Sequence, residues 1–146
     1  MPDVSAVGLS LRITADKTFP NGFIVTTFAD DGDNGVSENS EIIGEAMGLN
    51  ADLITWGTPK TIPYSITVIP HTDEDNNLKA LLDANTTTKN HKSVKDIITI
   101  VETDPVTGKT NTYKQGRIKS GPKGYQYGSD GRIKNRQYSF TFEDVV

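Results

Sequence analysis

Apolar and polar residues alternate along most of this chain with a period of two. Residues 7–13 place an apolar residue at every second position, and residues 23–28 (FIVTTF) are almost entirely β-branched or aromatic. Such patterns are typical of β-strands. The residues between them, Pro20, Asn21 and Gly22, favour turns. The sequence therefore predicts a hairpin at the start of the chain.

Further segments with strand character follow. Residues 62–69 form the most regular of them, and residues 94–103 and 109–119 flank the turn-forming sequence Asp-Pro-Val-Thr-Gly at 104–108. Residues 132–142 close the series. The faces predicted to be apolar in the first and last of these segments comprise Ile62, Tyr64, Ile66, Val68, Tyr138, Phe140 and Phe142.

A single segment has the helical period instead. Leu78, Leu81 and Leu82 lie at i, i+3 and i+4 within residues 76–84, and three acidic residues precede them. Residues 41–57 mix apolar residues with glycines, a pattern more typical of broken strands than of a helix. Seven or eight strands and one helix predict a mainly β fold: an antiparallel β-sandwich or barrel with a single packed α-helix. We expect one domain over residues 1–146.

Charge is distributed unevenly along the sequence. No Lys or Arg occurs between Thr18 and Pro59, whereas residues 105–142 contain eight basic residues and one acid, Asp130. Residues 29–40 (ADDGDNGVSENS) are predicted to form a long, solvated acidic loop. Opposite charges in separate segments can cancel within one fold or between neighbouring copies, and the second arrangement would favour self-association.

Composition excludes several classes of protein. The chain has no cysteine, so it offers neither disulfides nor thiolate chemistry. Its first twenty residues lack the pattern of a signal peptide, and no apolar run approaches the roughly 18 residues of a membrane span. The net charge of −4 argues against nucleic-acid binding by the whole surface. We therefore expect a protein with no membrane partner.

Catalytic and ligand-binding motifs are equally scarce. Gly108-Lys109-Thr110 ends like a phosphate-binding loop but lacks its first glycine and the following helix. Residues 30–41 match calcium-loop spacing at four positions but carry Gly32 at the third. His71 and His91 are twenty residues apart and fit no ligand spacing. We expect no enzyme activity, no cofactor and no metal.

Two long stretches resemble a known family. The closing third, from KTNTYKQGRIKSGPKG through QYSFTFEDV, is similar to the end of tail tube proteins of contractile-tailed bacteriophages. GEAMGLNADLITWGTP resembles the segment after that family's long loop, and DNNLKALLDAN resembles its lone helix. The related ring protein of type VI secretion, the haemolysin-coregulated protein, shares this architecture and stays an alternative.

This resemblance implies a tail-tube-like fold and a structural role in the virion. Tail tube proteins form stacked, hexameric rings whose hollow tube conducts DNA during infection. The implied partners are other copies of the chain, tail sheath and baseplate proteins, with DNA passing through without specific binding. The implied location is the phage tail, assembled in the host bacterial cytoplasm. The acidic loop would reach toward an adjacent ring.

Charged residues of both segments are the candidates for the interfaces or the tube lumen. Lumens of this family tend to be acidic, and like charge lets a polyanion slide. The sequence leaves open which acids face the lumen and which face a neighbour. The candidate set comprises Asp30, Asp31, Asp33, Glu38, Glu41, Glu45, Arg117, Lys119, Lys123, Arg132, Lys134 and Arg136.

Other functional classes compete with this hypothesis. A nucleic-acid-binding, OB-like barrel could use residues 114–136 with Tyr113, Tyr125 and Tyr127 as stacking platforms. A lipocalin-like barrel would need a large apolar cavity, which a hydrophobic content of 34% makes improbable. A hydrolase ranks last because the sequence offers no nucleophile.

Overall fold

Ten β-strands and one α-helix make up residues 2–146, the part of the chain that this computed structural model describes; Met1 lies outside it. The strands are β1 (Ser10–Ala15), β2 (Phe19–Val25), β3 (Gly35–Val36), β4 (Ile43–Met47), β5 (Leu53–Gly57), β6 (Ile62–Val68), β7 (Ile98–Thr103), β8 (Thr110–Ser120), β9 (Arg136–Phe142) and β10 (Asp144–Val145), and the helix is α1 (Asp73–Ala84). The predicted mainly β, antiparallel fold with a single helix is confirmed.

Eight strands form one antiparallel sheet in the order β2-β1-β7-β8-β9-β6-β3, with β10 paired to β8. The sheet stays open and does not close into a barrel. Strand β8 joins its two halves, because its first part pairs with β7 and its last part with β9. At the end of the part that pairs with β7, the register shifts between Tyr113 and Gly116, and Gln115 adopts a φ of 53°. This bulge lets one strand serve both halves.

The two halves of the sheet share one hydrophobic core. Side chains at alternate positions of β6 and β9 are buried, including Tyr64, Ile66, Tyr138 and Phe140. They pack with inward residues of β1 and β7 and with the helix. The predicted apolar faces of both strands are thus confirmed, except that Ile62 is only partly buried.

Helix α1 follows the local rules for its ends and its buried face. The hydroxyl of Thr72 accepts a hydrogen bond from the backbone N–H of Asp75 at 3.2 Å, which caps the first turn. Leu78, Leu81 and Leu82 are buried, as their spacing predicts. The helix begins at Asp73, three residues before the predicted start at residue 76. The three acidic residues therefore form its first turn.

The first hairpin exists, but its predicted turn is wrong. The chain reverses at residues 16–18, and Pro20, Asn21 and Gly22 lie inside β2. A distant carboxylate explains the position: the backbone N–H groups of Lys17 and Thr18 donate to Asp96 at 3.0 and 3.1 Å. Strand β1 also begins three residues later than the alternation predicts. These shifts follow from tertiary contacts that local patterns do not encode.

Asp96 links this turn to the end of the helix. Its buried carboxylate also accepts hydrogen bonds from the Thr18 hydroxyl and from the Asn85 amide at 2.9 Å. Burial alone would raise the pKa of Asp96, but the hydrogen bonds from Thr18, Asn85 and Lys17 together hold it below its usual value. The ionised carboxylate is therefore the form that stabilises the fold.

Replacing Asp96 with alanine is expected to lower the free energy of unfolding by about 2 kcal/mol at neutral pH. Because the folded-state pKa is lowered, this contribution is complete above the unfolded value of about 3.9 and is lost as the pH falls below it. Urea titrations should show the largest difference between wild type and D96A near pH 7 and a much smaller one near pH 3. An equal difference at both pH values would contradict the assignment.

Candidate assembly surface

The acidic segment at residues 29–40 lies along the sheet rather than projecting freely. Its residues Gly35 and Val36 form β3, which pairs with β6. The side-chain oxygen of Asn34 accepts a hydrogen bond from the backbone N–H of Thr67 at 2.8 Å. Gly32 packs so closely on the Thr67 side chain that any larger residue would clash. The segment thus covers one edge of the sheet, which is a common way to protect it.

Part of the segregated charge cancels within the chain. Arg132 donates to both carboxylate oxygens of Asp30, at 2.8 and 3.1 Å, and Asn135 donates to Asp30 at 3.0 Å and to Asp31 at 2.6 Å. Hydrogen bonds from Arg132 and Asn135 hold the pKa of Asp30 well below its usual range. Within residues 2–146, this is the only salt bridge between the acidic and basic segments.

Arg136 is a predicted interface or lumen candidate that the structure places in the core. Its side chain is 2% exposed, and its Nε donates to the Asp75 carboxylate at 2.7 Å. It also donates to the backbone oxygen of Gly124 at 2.8 Å and stacks over the Tyr125 ring. Arg136 therefore holds the glycine-rich segment against the helix and cannot contact a neighbouring copy directly. Arg136 lies two residues before Tyr138 on the same face of β9, so the alternation along this strand could have predicted its burial.

Tyr138 completes this buried network. Its hydroxyl donates to the same Asp75 oxygen at 2.8 Å. Burial raises the pKa of Tyr138, so the hydroxyl keeps its proton and remains a donor. Within the described residues, no buried side-chain nitrogen or oxygen lacks a hydrogen-bond partner.

The other charged candidates are exposed but do not form one site. Lys123 lies 3.5 Å from Asp83 on the helix, and Lys119 shares a cleft with Glu38 and Glu41. The remaining exposed candidates are Asp31, Asp33, Glu45, Arg117 and Lys134. Their roles in contacts or in a lumen stay predictions.

The most prominent exposed surface is one that sequence reasoning missed. Strands β4 and β5 form a separate two-stranded hairpin that pairs with no strand of the main sheet. Its residues alternate between two faces. We call Gly44, Ala46, Ile54 and Trp56 the tryptophan face, and Ile43, Glu45, Met47, Leu53 and Thr55 the glutamate face.

Both faces of the hairpin expose large apolar side chains. Trp56 is 50% exposed on one face, and Met47 and Leu53 are 67% and 64% exposed on the other. An isolated two-stranded hairpin is marginally stable in water, and contiguous apolar patches on soluble proteins commonly mark interaction sites. The hairpin thus has the properties of a docking element.

Gly44 sets the position of the tryptophan ring. Gly44 lies directly opposite Trp56, and the indole packs so closely on it that an added side chain would clash. We expect Gly44→Ala to displace the indole and to change the fluorescence of this sole tryptophan in the unassembled protein. The matched substitution Gly57→Ala meets open space and should leave the spectrum unchanged. Identical spectra for both variants and wild type would contradict the packing.

Residues 2–146 also lack two other kinds of feature. No cluster of three or more His, Asp or Glu side chains could hold a metal ion. No helix in this range has the length and hydrophobicity needed to cross a membrane.

Solved structures with this fold come from contractile injection systems. A chain from the structure of the sheath/tube terminator of the extracellular contractile injection system PVC, in its extended state, is 11% identical with a TM-score of 0.56, and the match covers 100% of this chain and 96% of that one. A chain of the anti-feeding prophage baseplate is 11% identical with a TM-score of 0.56, and the match covers 100% of this chain and 95% of that one. A chain from the structure of the tube-terminating cap of the anti-feeding prophage is 12% identical with a TM-score of 0.52, and the match covers 100% of this chain and 90% of that one. The fold is therefore one found in contractile tail-like particles.

Sequence comparison gives the family. The family model described as tail fiber protein gp32 matches residues 2–146, so the chain belongs to the tail fiber protein gp32 family. No curated protein sequence matches the chain significantly. The resemblance to proteins of contractile tails is confirmed. The chain is a structural protein of phage tails and related assemblies.

Proposed function

We propose that this protein is a ring-forming subunit of a contractile phage tail, stacked into a tube through which DNA passes. Its function is carried by interfaces between copies and with sheath and baseplate proteins, not by catalysis. The observation that supports this most strongly is the hairpin β4–β5, whose two apolar faces are uncovered in the single chain. Both faces would be covered by neighbouring copies in an assembled ring or stack.

The outward face of the sheet suits a wall that DNA can slide along. Residues that alternate with the core on β1, β7, β6 and β9 carry mainly hydroxyl groups, including Thr14, Thr99, Ser65 and Ser139, with Arg12 as the one charged residue among them. Hydroxyls are hydrated and uncharged, so they give a polyanion no strong point of attachment. We assign this hydroxyl-rich face to the lumen.

A terminal ring is the second candidate. The same fold occurs in a chain of the sheath/tube terminator structure and in a chain of the tube-terminating cap structure. A terminal ring would assemble through lateral contacts but would stack through one face only. Both candidates require a heterologous contact between copies, and they differ in whether that contact continues along an axis.

Electron microscopy of the purified protein separates these possibilities. Stacked tubes in negative stain would support a tube subunit, and single or paired rings would support a terminal ring. A protein that stays monomeric at high concentration, by light scattering and in micrographs, would refute both. Salt-sensitive binding of single-stranded DNA by that monomer would instead favour the OB-like alternative.

A further inference from the structure

A groove beside β8 has the shape and charge to receive a neighbouring copy. It has a volume of about 380 Å³, and its lining includes Pro59, Lys60, Gln115, Arg117, Phe142 and Glu143. The bulge at Gln115 opens β8 at this point, and the Phe142 ring packs against Gly116, where any side chain would clash. We call this the β8 groove.

Charge gives the β8 groove a preferred occupant. Two basic groups, Lys60 and Arg117, line it against one acid, Glu143. The hairpin β4–β5 lies in the segment between Thr18 and Pro59 that contains no Lys or Arg. Its glutamate face presents Glu45 between apolar side chains. Within residues 2–146, neither Glu45 nor Arg117 belongs to a salt bridge.

We propose that the glutamate face of one copy's hairpin docks in the β8 groove of a second copy, with Glu45 pairing with Arg117. Apolar residues beside Glu45, chiefly Ile43 and Leu53, cover the apolar part of the groove. This inference rests on the proposed function, because it identifies the partner of the exposed hairpin as another copy of the chain.

The docking is heterologous, and this has a structural consequence. The hairpin and the groove are different surfaces, so each copy gives one contact and receives another. Such contacts close into a ring or continue as a filament, depending on the rotation between copies. A pair of opposite charges at the contact also disfavours wrong alignments of the two copies, in which like charges would meet.

Charge reversal and its rescue test the pairing. The variants are E45K, R117E and the double variant E45K/R117E, with Asp3→Lys and Lys92→Glu as exposed controls of matched charge change. We expect each single variant to raise the concentration needed for assembly at least tenfold, measured by sedimentation velocity. The double variant should restore assembly to within about threefold of wild type. A mixture of the two single variants should also assemble, because alternating copies restore opposite charges at every contact.

The outcomes separate this inference from the proposed function. If wild type forms rings or tubes and both single variants assemble equally well, the docking site is wrong while the ring-forming function stands. A double variant no better than the single variants would also overturn the pairing. If wild type forms no assembly at any concentration, the proposed function fails and the docking with it. Rescue in the double variant, with unaffected controls, supports the pairing.

Discussion

Replacing Arg136 with alanine is expected to lower the free energy of unfolding by about 3–5 kcal/mol. The substitution leaves the Asp75 carboxylate, which is 1% exposed, without its ionic partner. It also removes the donor to Gly124 that holds the glycine-rich segment against the helix. Chemical denaturation monitored by circular dichroism would measure the loss.

A matched exposed pair provides the control for this prediction. Arg132→Ala also removes an arginine–aspartate salt bridge, but this pair is solvated, so its loss should shift the denaturation midpoint far less. The double variant Arg136→Met with Asp75→Leu should be more stable than Arg136→Ala, because no unpaired charge remains buried. Equal midpoints for Arg136→Ala and Arg132→Ala would show that the buried network contributes little.

Replacing Trp56 with alanine is expected to prevent assembly at concentrations where wild type assembles. Central aromatic residues contribute most to interfaces, and a loss of 2 kcal/mol or more corresponds to at least about a 30-fold weaker association. Because the hairpin pairs with no strand of the main sheet and the Trp56 side chain is 50% exposed, the monomer should keep its fold and its thermal midpoint. Light scattering and circular dichroism would measure the two properties separately.

Tyr127→Ala is the matched control, since this aromatic side chain is 73% exposed and lies outside the hairpin. It should assemble like wild type. If W56A assembles normally, the tryptophan face is not an interface. If W56A loses both assembly and thermal stability, the hairpin contributes to the fold of the single chain, contrary to its exposed position.

Regular periodicity allowed much of the fold to be predicted. The leucine spacing identified α1, and the strict alternation of Tyr138, Phe140 and Phe142 identified the inward face of β9. These elements are determined by the burial of one face, which the binary pattern records directly. The turn at residues 16–18 was missed because Asp96, far along the chain, supplies the hydrogen bonds that form it.

The candidate surface was harder to predict. Composition shows that Trp56, Leu53 and Met47 are apolar, but a pattern cannot tell whether an apolar side chain is buried in its own fold or left for a partner. The charged candidates were chosen by sign alone, so the list included Arg136, whose charge is satisfied inside the core. Likewise, the Asp30–Arg132 pair joins segments a hundred residues apart, and only the fold brings them together.

In the proposed assembly, a second copy of the chain covers the hairpin β4–β5. Trp56 is the sole tryptophan, so its fluorescence reports on this hairpin without labelling. The direct measurement is the emission maximum and acrylamide quenching of Trp56 across the concentration range in which assembly occurs. Burial of Trp56 at a contact between copies should give a blue shift and reduced quenching that follow assembly measured by light scattering. Assembly without any change in either signal would contradict it.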